Sequence, residues 1–447
     1  MAASGLGAYS TRMPANGITA GPLAITRLNV INWRNFKRAD IPIGERMFLV
    51  GPNASGKSNL LDALRFLRDL AIDGGGFQHA VQSRGGLPRI RNLAARNVNQ
   101  GHVTLELVLG TEDAPSRWTY TMSFSAEQRG KRRPILTRET VALDGRLLLD
   151  RPDRGDGEDA DRLTQTALEQ VNVNREFREI ATWLSTTRYL HLVPQVIRDP
   201  ERSSDTDEDP FGRDFLSRVA RTPERERHRR LRLINKALKV AVPQLDRLEL
   251  HKDEDGRPHL QAWYEHWRPG GARQDEKDFS DGTLRLIGLL WALQESGKGK
   301  GPVLLEEPEL SLHSEIVRQL PSLIAAAARR GGRQILVTTH AQDILEDEGI
   351  GDREVVLLQP GAEGTTATVA GDVEGVHELL EGGMNLREAL ADVLNPVNIE
   401  QLVSVSLFCT ASKDRRMRRL RGSSSRRWDI LRVRRWSLAG RRGSMPG

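Results

Sequence analysis

The nine residues Gly51-Pro52-Asn53-Ala54-Ser55-Gly56-Lys57-Ser58-Asn59 constrain this chain more than any other stretch. They fit the phosphate-loop pattern G-x-x-x-x-G-K-[ST]. Before them, Met47-Phe48-Leu49-Val50 reads as a buried strand; after them, Leu60, Leu61, Leu64, Phe66 and Leu67 recur at helical spacing. Strand, glycine loop and helix, in that order, let backbone N–H groups and a helix N-terminus cradle phosphates. In that arrangement Lys57 reaches the β- and γ-phosphates and the Ser58 hydroxyl ligates Mg²⁺, so the loop predicts binding of a nucleoside triphosphate.

A chain of 447 residues can bury a substantial core as one large domain or two ordinary ones. Its longest apolar stretch, residues 286–293, is far short of a bilayer span. Residues 1–22 read as a flexible Gly/Ala/Ser lead-in without a secretory pattern, and Cys409 is the only cysteine, which excludes a disulfide framework and any cysteine metal site. The expectation is a soluble, cytoplasmic protein. The net charge of +6 misleads: from Lys413 onward 13 Lys and Arg face Asp414 and Asp429, a local +11, so residues 1–412 carry +6 − 11 = −5. No basic groove interleaved with aromatic residues is visible there. The Arg-rich tail, 401–447, reads either as a phosphate-contacting arm or, the expectation here, as a disordered or non-native extension.

Residues 24–30, 41–43, 47–50, 103–109 and 118–124 alternate as strands, and 141–149 reads as one more. Residues 151–161 form a charged loop, helical patterning covers 163–184 and 213–238, and 199–209 is an acidic stretch expected to be mobile. From residue 283 helices alternate with apolar strands at 303–305, 334–339 and 354–358, which indicates a parallel sheet covered on both faces. The predicted fold is α/β: a parallel core sheet shared by 23–110, which holds the phosphate loop, and 276–400, with an antiparallel β lobe and a helical lobe in the inserted region 111–275.

Three further motifs carry chemistry. Glu306 and Glu307 end a buried strand; in phosphoryl transfer the first such acid holds Mg²⁺ and its neighbour orients the attacking water. Ser280-Asp281-Gly282 opens an amphipathic helix, where a serine cap and a helix N-terminus make an anion site, though the same residues make an ordinary helix start. His340 ends the strand 335–339 at the carboxyl edge where open parallel sheets bind ligands.

The order of phosphate loop, S-D-G, twin Glu and strand-end His resembles the ATP-binding-cassette ATPases of the SMC and RecF type. Asn35-Phe36-Lys37 matches the N-F-[KR] element these proteins carry upstream, and the likeness spans roughly residues 23–400. The resemblance implies an ATPase using ATP and Mg²⁺, whose two copies pair head to tail. Ser280, Asp281 and Gly282 would be the signature motif reaching the nucleotide on the other copy, Glu306 the metal ligand, Glu307 the catalytic acid and His340 the switch histidine. It further implies action on DNA, as a clamp or loader in double-strand break repair or anti-phage defence. The alternative is an ATP-gated module that controls a separate effector without touching DNA. Glu306 stands where that family usually has Asp, and Asp281 where it has Gly; its Q-loop glutamine is unplaced, with Gln78 and Gln82 as candidates. The gap from Ser58 to Ser280 lacks the heptads of long SMC coiled coils, which favours a compact RecF-like head. The nuclease domain of the related OLD proteins is not expected, since only Glu400, Asp414 and Asp429 remain to build it; any nuclease would be a separate chain.

Overall fold

The computed structural model describes residues 22–92, 101–127, 132–198, 209–265, 272–295 and 299–394. The lead-in up to residue 21, most of the acidic stretch and the Arg-rich tail lie outside the described residues. The strands in chain order are β1 (Ala24–Trp33), β2 (Phe36–Pro42), β3 (Arg46–Val50), β4 (Val103–Gly110) and β5 (Trp118–Ala126). Next come β6 (Pro134–Leu143), β7 (Arg146–Arg151), β8 (Arg188–Leu190), β9 (Leu245–Lys252) and β10 (Pro258–Tyr264). The last are β11 (Ala272–Asp275), β12 (Val303–Glu306), β13 (Ile335–Thr339), β14 (Val355–Gly361) and β15 (Gly364–Val369).

The central sheet runs β15-β14-β3-β13-β12-β8, with every pair from β14 to β8 parallel. Its strands are apolar on both sides because both faces are covered. In β3, Met47 and Leu49 enter one core with the antiparallel sheet β2-β1-β4-β5-β6-β7 and the helix Lys57–Ala71. Phe48 and Val50 enter the other, against the helices Asp281–Leu293 and Ser314–Gly331. Period-two alternation along one strand thus builds two cores back to back.

Three expectations are corrected. Residues 141–149 are a hairpin, not one strand: Asp144 (φ 49°) and Gly145 (φ 78°) make the tight two-residue turn that an Asp-Gly pair favours, and Leu143 pairs with Arg146 across it. Helical patterning over 163–184 yields only Arg178–Ser185 as α-helix. Upstream, the buried Glu139 carboxylate accepts from the N–H groups of Ala167 and Leu168, which competes with helical bonding. The pattern over 213–238 is two helices, Phe215–Arg221 and Glu224–Ala241, split at Pro223. In addition, β8, from within the inserted region, is an edge strand of the central sheet, and β9, β10 and β11 form a small sheet of their own.

Polar ties hold the layers in register. Gln334 donates to Ile25 O (2.7 Å) and Gly44 O (2.6 Å) and accepts from Ile25 N–H (3.0 Å), joining β1 to β13. On the helix Lys57–Ala71, Asp62 accepts from Arg34 Nε (3.0 Å) and Arg84 Nε (3.0 Å). Burial raises the Asp62 pKa, but Arg84, Arg34 and Arg65 outweigh burial and hold it below the ordinary carboxylate range. Its folded pKa is therefore lower than its unfolded one, and the stability it contributes is present at neutral pH and lost as pH falls toward the folded value. Asp62→Ala removes the carboxylate shared by Arg34, Arg65 and Arg84 and leaves Arg84 with Asp69 alone (2.9 Å), with an expected loss of about 2 kcal/mol at pH 7 that shrinks under acid. Thermal unfolding of both forms across pH measures it; matching midpoints at pH 7 would refute the role given to Asp62.

Candidate nucleotide site

Because β3, β12 and β13 are parallel, their carboxyl ends emerge at one edge of the sheet. The register pairs Val50 with Thr339 and Glu306 with Thr338, so the phosphate loop, the twin carboxylates and His340 meet there. This edge is where an open α/β sheet binds ligands.

The loop is braced from behind. Gly56 is left-handed (φ 95°), and a Cβ there would run into the Asn35 amide. Asn35 Nδ2 donates to Ser55 O (2.9 Å) and Thr365 Oγ1 (2.6 Å), and its Oδ1 accepts from Asn59 Nδ2 (2.9 Å). The Asn35-Phe36-Lys37 element thereby acts as a buttress to the loop, a role its sequence distance conceals. Pro52, Asn53 and Ala54 are exposed at the rim, while Gly51 and Ser55 are buried. Ser55 Oγ is buried without a hydrogen-bond partner in the loop, the kind of orphan a phosphate would satisfy.

Lys57 begins the helix Lys57–Ala71, and its ammonium donates to Gly51 O (2.8 Å), Pro52 O (3.0 Å) and His340 Nδ1 (3.1 Å). Burial pushes its pKa down to about 8 against the pull of Glu307, Glu309 and Glu306. An ammonium can only donate, so Nδ1 of His340 accepts and Nε2–H points to Glu307 Oε1, with which it pairs. Glu307 itself is held at φ 44°, a left-handed backbone rare for glutamate. Its N–H donates to Thr338 O (3.1 Å) and Thr338 Oγ1 (3.2 Å). Lys57, His340 and Glu307 form one chain of hydrogen bonds across three strand ends.

Glu306 accepts from the Ser58 hydroxyl and, on its other oxygen, from the Tyr189 hydroxyl. Its two oxygens thus meet both hydroxyls. Burial raises its pKa above the usual carboxylate range, the Ser58 hydrogen bond partly offsets this, and Glu307 adds to the rise. No group of three His, Cys, Asp or Glu side chains is placed to hold a metal among the described residues. A hydroxyl and one carboxylate, both oxygen donors, nonetheless fit Mg²⁺, which takes few protein ligands beside phosphate oxygens and water. Ser58 and Glu306 would hold it.

Ser280, Asp281 and Gly282 do not join this group. Ser280 caps the helix Asp281–Leu293 by accepting from Thr283 N–H (3.1 Å) and stands exposed. A Cβ on Gly282 would run into the Ser311 carbonyl oxygen, so glycine is required for this helix start to lie against the segment after Glu307. The charge of Asp281 is met by Arg198 (2.6 Å) and by a hydrogen bond from Gln195 (2.8 Å). Gln78 has its amide committed to Pro134 O (2.9 Å) and Thr164 O (2.8 Å), away from the loop. Two groups were missed in the sequence: Tyr189, on a three-residue strand too short to carry a pattern, and Glu309. Glu309 is buried and accepts from Thr339 Oγ1 (2.7 Å) and His340 N–H (2.9 Å), fixing the histidine's backbone; a third acid after Glu306-Glu307-Pro308 was its only signal.

A family model described as "AAA domain, putative AbiEii toxin, Type IV TA system" matches residues 46–346, more than half of the chain. The chain belongs to this family of AAA ATPases, with an α/β phosphate-loop fold. Among solved structures it is similar to an SMC head bound to the C-terminal winged-helix domain of ScpA, at 14% identity over 77% of this chain and 97% of that one, TM-score 0.45. An SMC head domain from Thermotoga maritima gives 15% identity over 77% and 98%, TM-score 0.39. An SMC head with an extended coiled coil, bound to the C-terminal domain of ScpA derived from Pyrococcus furiosus, gives 14% over 80% and 99%, TM-score 0.44. No curated protein sequence matches.

The Tyr189 hydroxyl orients Glu306, so Tyr189→Phe is expected to raise the Mg²⁺ concentration for half-maximal ATP turnover roughly tenfold. Turnover at saturating Mg²⁺ and nucleotide binding in chelator should change little. Mg²⁺ titrations of the two proteins check this, and coincident curves would remove Tyr189 from the site.

Proposed function

We propose that this protein hydrolyses ATP at a seam between two copies of the chain, each supplying half of the nucleotide's surroundings. The observation that carries the reading is the separation within one chain. Lys57, Ser58, Glu306, Glu307 and His340 converge, whereas Ser280 and Gly282 open a different helix and line a pocket of about 210 Å³ with Ser311 and His313. A second copy, placed head to tail, would bring that exposed helix start to the nucleotide held by the first. Residues 23–110 and 276–400 serve as the two halves of the nucleotide machine, and 111–275 as the lobe between them.

The loop N–H groups and Lys57 bind and orient the phosphates, and Ser58 and Glu306 would hold a Mg²⁺ ion whose charge would offset that of the phosphates. Glu307, its carboxylate held by Nε2–H of His340 and its backbone by Thr338, accepts a hydrogen bond from the attacking water and takes up its proton. Closure of a second copy would exclude bulk water from the reacting γ-phosphate.

The cellular role that fits best is an ATP-dependent clamp or loader acting on DNA in the cytoplasm, in double-strand break repair or in defence against foreign DNA. The toxin–antitoxin wording of the family description is in keeping with defence. The −5 charge of residues 1–412 favours a second reading, an ATP-gated module that licenses a separate nuclease or other effector chain without DNA contact. Among the described residues no helix is long and apolar enough to cross a membrane.

Lys57→Ala is expected to abolish ATP binding in an equilibrium nucleotide-binding assay. Glu307→Gln should keep binding, lower turnover by at least about a hundredfold and accumulate a dimer with ATP and Mg²⁺ that light scattering detects. Parental turnover in Glu307→Gln would overturn the role of the carboxylate. A strictly monomeric Glu307→Gln protein under those conditions would overturn the shared seam.

A further inference from the structure

Residues 1–412 are acidic in sum and show no basic groove interleaved with aromatic residues. One helix nevertheless presents a basic face. The helix Glu224–Ala241 carries Arg225, Arg229, Arg232, Lys236 and Lys239 at steps of four, three, four and three residues, which align them in one row. All five are exposed, while Leu231, Ile234 and Leu238 on the other side of the helix are buried in the second core. At 1.5 Å per residue the row is about 21 Å long, with successive cations about one turn apart. Arg229 pairs with Glu226 (2.6 Å) and Lys239 lies 3.9 Å from Asp246. Arg225, Arg232 and Lys236 pair with no carboxylate among the described residues.

Beside the first half of this helix lies a cleft of about 540 Å³. Six Lys and Arg side chains line it, Arg218, Arg221, Arg230 and Lys300 among them, against the two carboxylates Glu226 and Glu295. Arg230 is held in place by Glu226 (2.7 Å) and by the Trp291 ring, 5.2 Å from its centroid. The cleft sits where β8 and β12 begin, since Arg188 opens β8 and Lys300 leads into β12. That is the amino edge of the central sheet, opposite the edge that carries the phosphate loop, Glu306 and His340. A nucleotide in the phosphate loop is therefore not the anion this surface would meet.

A cleft of this volume suits a single nucleotide-sized anion. Several of its cations already have partners, such as Glu226 for Arg230 and Asp214 (3.4 Å) for Arg218. Cations still outnumber carboxylates within it, and further uncompensated charge runs outside it, along the helix. One small anion cannot reach Arg225, Arg232 and Lys236 together, whereas a chain of phosphates can neutralise a row of cations and release its counterions. We propose that the row on the helix Glu224–Ala241, with the cleft beside its first half, is a track for the phosphodiester backbone of a nucleic acid. The contact is sequence-independent, because it is made to phosphates, which carry no sequence information. The proposal deepens the DNA-acting reading of the function and rests on it; it does not depend on the shared ATP seam.

The test uses the full chain, parent and the triple variant Arg225→Ala/Arg232→Ala/Lys236→Ala. Binding of a labelled DNA duplex and a labelled single strand is followed by fluorescence anisotropy between about 50 and 200 mM salt. The Arg-rich tail is present in both proteins, so only their difference reports on the row. The expected result is weaker binding by the variant at every salt concentration and a slope of log affinity against log salt shallower by about 3, one phosphate contact per removed cation. Basal ATP turnover should stay at the parental level, which also shows that the variant folds. Equal affinities and slopes would overturn the track while leaving the DNA reading standing. If the parent binds no DNA at all, both fall and the effector-gating reading replaces them. Inorganic tripolyphosphate competing as well as unlabelled DNA at equal phosphate concentration would overturn the track in favour of a small-anion cleft.

Discussion

The parallel alignment of β3, β13 and β12 is the constraint on which the rest depends. Three strands pointing the same way, in register, deliver a lysine, a histidine and a pair of adjacent glutamates to one edge from three separate parts of the sequence. Reversing one strand would send its terminal residue to the far side of the sheet. Parallel strands need crossovers that cover both faces, so the two cores and the long connections between strands follow from the same requirement.

The site is held by polar groups whose partners lie far along the chain. Asn35 supports the loop at Ser55 and meets Thr365, Gln334 ties β13 to β1, and Glu309 fixes the backbone of His340. Each is a buried or half-buried hydrogen-bonding group whose loss would leave partners unsatisfied, which costs more than the net worth of the bond. Glu307 is the clearest case. Its left-handed backbone is unfavourable by itself and persists because Thr338 accepts its N–H while its carboxylate meets His340.

Charge is arranged with the same economy. The nucleotide edge gathers Glu306, Glu307 and Glu309 around a single lysine, a surplus of negative charge suited to a metal ion and unsuited to a bare phosphate. The opposite edge gathers arginine and lysine on a helix that the sequence average hides, because a net −5 says nothing about where its members lie.

Sequence alone was enough for the phosphate loop, its strand and its helix, because Met47 to Leu67 is one contiguous unit whose periodicity and glycine spacing are local properties. It also carried the alternation that marks a parallel sheet after residue 283, and the candidate acids and histidine at strand ends. It failed where a distant partner overrode local preference, as Glu139 does over residues 167–168, and where an element was too short to show a pattern, as in β8 with Tyr189. Only the tertiary structure decided which strand ends meet, that Ser280 and Gly282 stand apart from Lys57, and that the arginine row is left uncovered. The first two are relations between residues far apart in the chain, set by register and packing, which no local window contains; the arginine row is periodic within one helix, and the fold decides only that this face stays exposed.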